Sequence, residues 1–197
     1  VERKYDDDQD LSATRPGDPM AAYPKSTQAT AAAVAALAQI GSSPVFRAQF
    51  GNAAADAYLA AAQTGWAWIQ GLFTTFGRNG AFQKIWHYGM MFSQDDELAW
   101  AAVELYLATG NEAYHNDVLT MPSYTTGVPF NPLDTRWRKW GWWQMYECVG
   151  AAARSYALSH KTGRNRQRDP VLFQRCTNAL IEAAEWRLTN TQGSAFG

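Results

Sequence analysis

The chain has only two cysteines, Cys148 and Cys176, and both fall inside predicted helices. Such a pair reads as buried thiols rather than a disulfide framework, and it leaves the compartment open. Charge of one sign is also missing. Its 17 Lys and Arg against 18 Asp and Glu leave a net charge of −1, so nothing draws nucleic acid or an anionic membrane by long-range attraction. No run of about 18 apolar residues occurs, and no membrane-spanning helix is predicted. Histidine is scarce too: His87, His115 and His160 stand far apart, and none is spaced as a pair. Alternating patterns that would mark a strand are not found.

What the sequence does hold is apolar and aromatic. Its 197 residues, 47% hydrophobic, suffice for one domain or a large part of one. It carries 9 Trp, 9 Tyr and 9 Phe, many of them beside turn signals instead of inside apolar stripes. Aromatic rings of that kind fill a large helical core, or they serve as flat apolar platforms in a cleft. The chain starts at Val1 without an initiator Met and ends in a loop at Gly197, so a segment of a longer protein is expected.

Residues 1 to 24 are polar. The run Lys4 to Asp10 carries several carboxylates, a composition that can hold calcium but more simply makes a solvated acidic loop. Ser26 or Thr27 caps a first helix over Ala29 to Ile40, whose alanines give high propensity and close packing. Gly41-Ser-Ser-Pro44 stops it. A second helix is predicted from about Asn52 to Phe73, with Tyr58, Leu59, Ala62, Trp66 and Ile69 on one side. Gly77-Arg-Asn-Gly80 breaks the chain after it.

The most informative stretch is Ser93-Gln-Asp-Asp-Glu-Leu-Ala-Trp-Ala-Ala-Val-Glu-Leu-Tyr-Leu-Ala-Thr-Gly110. Ser93 is a good N-cap, and Asp95, Asp96 and Glu97 oppose the positive end of the helix dipole. Leu98, Ala101, Ala102, Leu105, Ala108 and Thr109 form one narrow face of small residues. Gly110 is the expected stop, and Asn111 caps a short helix over Glu112 to Leu119. Pro122, Pro129 and Pro132 mark a long connection. Trp137-Arg-Lys-Trp-Gly-Trp-Trp143 then leads into a helix from about Trp142 to Ser159. Gly163 to Arg168 is a basic turn, too short for a nucleic-acid footprint. Asp169 and Pro170 open the last helix, which runs to about Leu188. Six helices and two Thr-Gly stops, at Gly110 and Gly163, suggest stacked helical hairpins in a solenoid or closed toroid.

The stretch Ser93 to Gly110 resembles the Asp-Glu-Leu-x-Trp-x-Ala-x-x-Leu-Tyr-x-Ala-Thr-Gly segment of glycoside hydrolase family nine, the cellulase family built on an (α/α)6 toroid. Tyr23-Pro-Lys-Ser-Thr27 ahead of an alanine-rich helix is similar to the start of an inner-barrel helix in the same family. The resemblance implies an all-α fold of stacked hairpins, with residues 1–197 the central part of one (α/α)6 catalytic domain. It implies inverting hydrolysis of β-1,4-linked glucan or a related glucosamine-type chain, in a secreted or periplasmic protein. Inversion uses two carboxyl groups about 6.5–9.5 Å apart. The family's base sits in an Asp-Ala-Gly-Asp motif and its acid is a Glu near the C-terminus; neither is found in Val1 to Gly197, so both are expected outside the segment.

Several residues carry over as candidates. Tyr88 matches a family Tyr near the catalytic centre, where a phenol can orient the base or the attacking water. His87 before it can donate to a sugar hydroxyl. Trp140, Trp142 and Trp143 begin a helix whose family counterpart carries cleft aromatics, and one or two of the nearby indoles are expected on the sugar. No cofactor is required by the resemblance. The endoglucanase branch often binds calcium at Ser-Gly-x-x-Asp-Glu. Asp96 and Glu97 stand at the last two positions here, but Phe92 and Ser93 occupy the first two, and the departure speaks against a cage of six to eight oxygens. Two other readings stay open: a non-catalytic carbohydrate-binding or scaffold module on the same toroid, and a helical sugar epimerase, which the unpaired histidines disfavour.

Overall fold

A computed structural model describes residues 26–81, 86–87, 90–91, 95–120, 149–164 and 169–193. They form seven helices and one minimal strand pair. Helix α1 spans Thr27–Ser42, with the Ser26 hydroxyl accepting from the Ala29 amide at 3.1 Å. The stop at Ser43-Pro44 is also a start. Ser43 closes α1 and caps a short helix α2, Pro44–Phe50, by accepting from the Phe46 amide. The sequence reading has no counterpart for α2, because seven residues are too few for a periodic pattern to emerge.

Helix α3 runs Asn52–Ala81, past the expected end at Phe73. The predicted break survives as a kink at Gly77, where φ is 69°. Its core face is Ala55, Ala62, Trp66 and Ile69. Tyr58 leaves that face: it is 40% exposed and packs edge-on against Phe46 of α2, with ring centroids 5.5 Å apart. Strands β1, Trp86–His87, and β2, Met90–Met91, pair antiparallel with Trp86 opposite Met91. So short a ladder leaves no alternation to read, and the fold remains all-α.

Helices α4, Asp95–Thr109, and α5, Glu112–Thr120, are joined as expected. Gly110 takes φ 72°, its amide donates to the Tyr106 carbonyl, and the Asn111 side chain accepts from the Ala113 amide. Helix α6, Val149–Leu158, ends before Gly163, which has φ 71°. Helix α7, Pro170–Gln192, starts on Asp169, whose carboxylate accepts from the Leu172 amide, and extends beyond the expected Leu188. Cys176 is buried in α7, its thiol pushed up to about 12 by burial. Cys148 lies outside the described residues, as do the acidic run 4–10 and the connection at 121–148. No single described helix is long and apolar enough to cross a membrane.

The helices divide into an inner and an outer set. Gln28 and Gln39 of α1 bond Glu97 and Glu104 of α4 in the same order, so α1 and α4 run parallel. Arg164, just past α6, reaches Ser42 at the end of α1, which brings the carboxyl ends of α1 and α6 to the same side. Helices α3, α5 and α7 return on the outside of α1, α4 and α6. The join between α1 and α3 is tight, since a Cβ on Gly41 would come within 2.7 Å of the Ala55 carbonyl oxygen. Gly41→Ala is therefore expected to destabilise the protein by about 1–3 kcal/mol despite alanine's better helix propensity, measured by chemical denaturation.

Helix α4 departs most from expectation. It has no narrow face. From Asp96 to Leu107 every side chain is buried except Trp100, which is half-buried. Helices α1, α5 and α6 enclose it on three sides, so apolar residues spread around most of its circumference.

Candidate functional site

Topology sorts the connections by length. Ser43, Gly110-Asn111 and residues 159–169 link helices at the carboxyl end of the inner set. The longer segments 82–94 and 121–148 lead instead into the amino ends of α4 and α6. Those segments contain His87, Tyr88, Trp140, Trp142 and Trp143, the residues that the sequence offered for the sugar site. His87 sits in β1 opposite Met90, with its side chain outside the described residues. Tyr88, Trp140, Trp142 and Trp143 also lie outside them, as does the Ser93 cap.

At the amino end of α4 the structure describes Asp96 and Glu97, both buried. Glu97 turns toward α1, where its Oε1 accepts from Gln28 Nε2 at 2.9 Å. Its Oε2 is buried and meets no donor. A buried carboxyl oxygen without a partner disfavours the ionised form. Burial, then the hydrogen bond and the charge of Asp96, push Glu97 up to about 9. Glu97 thus joins two inner helices through Gln28, in surroundings that disfavour its charged form.

The same facts bear on calcium. Such an ion wants six to eight oxygens from ionised carboxylates, carbonyls and water. Among the described residues no group of three or more His, Cys, Asp or Glu side chains could hold a metal ion. Glu97 has Oε1 on Gln28, while its Oε2 is buried without a partner.

About two helical turns below lies a centre that the sequence reading missed. Glu104 is fully buried. Its Oε1 accepts from Trp100 Nε1 at 3.0 Å, from Gln39 Nε2 at 3.3 Å and from the Ser155 hydroxyl. Its Oε2 pairs with Arg164 Nη1. Arg164 is thus not part of a solvated basic turn, and it plugs the inner helices at their carboxyl end. The available signal was a lone charge between Val103 and Leu105 in an apolar run: a buried carboxylate demands a cation.

Outside this ring, His115 of α5 is buried against Tyr106 of α4, with ring centroids 4.7 Å apart. Its Nε2 lies 2.8 Å from the Tyr156 hydroxyl, which also accepts from the Asp169 amide. This histidine binds α4, α5, α6 and the start of α7 together, and it is enclosed by packing.

With the helices in place, comparison with known proteins gives one finding: the profile of glycosyl hydrolase family 9 matches residues 2–194. The chain belongs to that family. No curated protein and no solved structure matches it. The family 9 fold is the all-α toroid, with which the alternation of α1, α4 and α6 with α3, α5 and α7 agrees. Family 9 membership makes the protein a glycoside hydrolase, whose chemistry is addition of water across a sugar acetal.

Proposed function

We propose that this family 9 hydrolase cleaves β-1,4-glucosidic bonds of cellulose-type glucan or cello-oligosaccharides with inversion, in a secreted or periplasmic setting. The observation that carries the reading is the family match over residues 2–194. The aromatic segments entering α4 and α6 at one end of the inner helices support it, since loops on a rigid scaffold are where a site usually forms. The acid and base of the inverting pair are assigned to parts of the protein outside these residues. One carboxylic acid protonates the leaving oxygen while the opposed carboxylate takes a proton from water. Within the segment, Tyr88 is the residue assigned to orient the base or that water, and His87, Trp140, Trp142 and Trp143 are assigned to the sugar. No calcium is assigned to Asp96 and Glu97.

The test is proton NMR of the anomers released from cellopentaose by the whole protein. Early accumulation of the α-anomer is expected. A β-anomer first would overturn inversion, and binding without hydrolysis would favour the non-catalytic module instead. In the same assay Tyr88→Phe is expected to lower kcat by about 100-fold, the scale of a lost orienting contact, with little change in Tm. An unchanged rate would remove Tyr88 from the mechanism.

A further inference from the structure

We infer that Trp100 is a sugar-contacting residue of this hydrolase, held in position from below by the Glu104–Arg164 pair. The inference rests on the glucan-acting reading above.

Direction comes first. Trp100 and Glu104 are one turn apart on α4 and share a face, with Glu97 one turn further up. Tyr106, two residues beyond Glu104, projects to nearly the opposite side, where it meets His115 of the outer helix α5. The Trp100 face therefore points away from the outer layer. Its flanks are fixed by Gln39 of α1 and Ser155 of α6, which reach Glu104 from either side. In a ring of parallel inner helices, a face turned from the outer layer and flanked by both inner neighbours is turned to the axis.

Exposure comes next. Between Asp96 and Leu107 only Trp100 is not buried. A tryptophan filling the core would be enclosed as completely as Leu98, Leu105 and Tyr106 are. Trp100 instead is half-buried: it packs in part against the core and leaves part of its indole accessible.

The indole is also fixed. Its N–H is spent on Glu104 Oε1 at 3.0 Å, and Glu104 is anchored by Arg164 and Ser155. With the polar edge turned into that buried centre and part of the ring against the core, the accessible remainder is apolar. A pyranose of a β-1,4-linked glucan has axial C–H bonds on its faces, which suit an aromatic surface. A ring already held in one orientation loses little freedom when the sugar arrives, so more of the contact energy appears as affinity. Trp100 then acts as the contact, and Glu104 and Arg164 are positioning residues.

Isothermal titration of the whole protein with cellotetraose, with Tm recorded alongside, decides the matter. Trp100→Ala is expected to weaken binding at least about tenfold, the scale for removing a tryptophan anchor, and Trp100→Phe to weaken it less. In the wild type, saturating sugar is expected to perturb the near-ultraviolet indole spectrum, and Trp100→Phe to diminish that perturbation. Wild-type affinity and an undiminished difference spectrum in Trp100→Phe would overturn the inference even if the alanine variant does not fold. Absence of cellotetraose binding by the wild type would overturn both this inference and the glucan reading; binding that the Trp100 variants retain unchanged would overturn this one alone.

Discussion

Arg164→Ala is expected to cost about 3–5 kcal/mol of folding stability, the scale for removing one partner of a buried ion pair. Glu104 is fully buried, and Arg164 is its cationic partner at Oε2. Without the guanidinium the carboxyl must remain charged in a dry interior or take up a proton, and either course is unfavourable. The loss also removes the contact to Ser42 at the end of α1. Urea denaturation measures the effect, with the exposed Arg175 as control, where alanine should stay within about 0.5 kcal/mol. The double variant Arg164→Met with Glu104→Gln should recover much of the loss. Its amide oxygen still accepts from Trp100, Gln39 and Ser155, and no charge is left unpaired. A double-mutant cycle showing no coupling between the two positions would mean that the pair contributes only by packing.

The second large effect is on pH dependence. Glu97 titrates near its ordinary value of 4.5 when unfolded and is pushed up to about 9 when folded. Between those values the folded protein holds a proton that the unfolded chain does not, so stability falls as pH rises through that window. Its contribution is fully present below about 4.5 and is lost as pH passes through about 9. Glu97→Gln should flatten the profile, because glutamine is neutral throughout, still accepts from Gln28 and can donate to Asp96. A gain of about 1–3 kcal/mol at pH 8 is expected, with little difference at pH 4. Parallel Tm curves for the two proteins from pH 4 to 9 would refute a protonated Glu97. Lower stability of Glu97→Gln at every pH would instead point to an ionised Glu97 with a cation beside it.

Features set by neighbouring residues were readable from the sequence. Ser26, Asn111 and Asp169 cap as expected, and Gly110 and Gly163 take the positive φ that a Thr-Gly stop implies. The long motif around Asp-Glu-Leu carried the family, and with it the toroid. Pairings over long distances were not readable. Arg164 lies in a run of basic residues that resembles a solvated turn, and nothing local reveals that it turns inward to a carboxylate 60 positions earlier. The enclosure of α4 was also hidden, because alanines and leucines suit a narrow seam as well as a helix enclosed on three sides. Trp100 was visible only as a motif letter. Its half-buried position depends on α1 and α6 standing on either side, which is a property of the assembled helices.

The enclosure of α4 by α1, α5 and α6 has a consequence for how the fold opens. Its backbone amides have no route to water through local fraying, since α1, α5 and α6 would have to separate first. Hydrogen exchange along the middle of α4 should therefore proceed only by opening of the whole unit and report its global free energy. The amides of α2, on the exposed corner beside Val45 and Phe50, should exchange early.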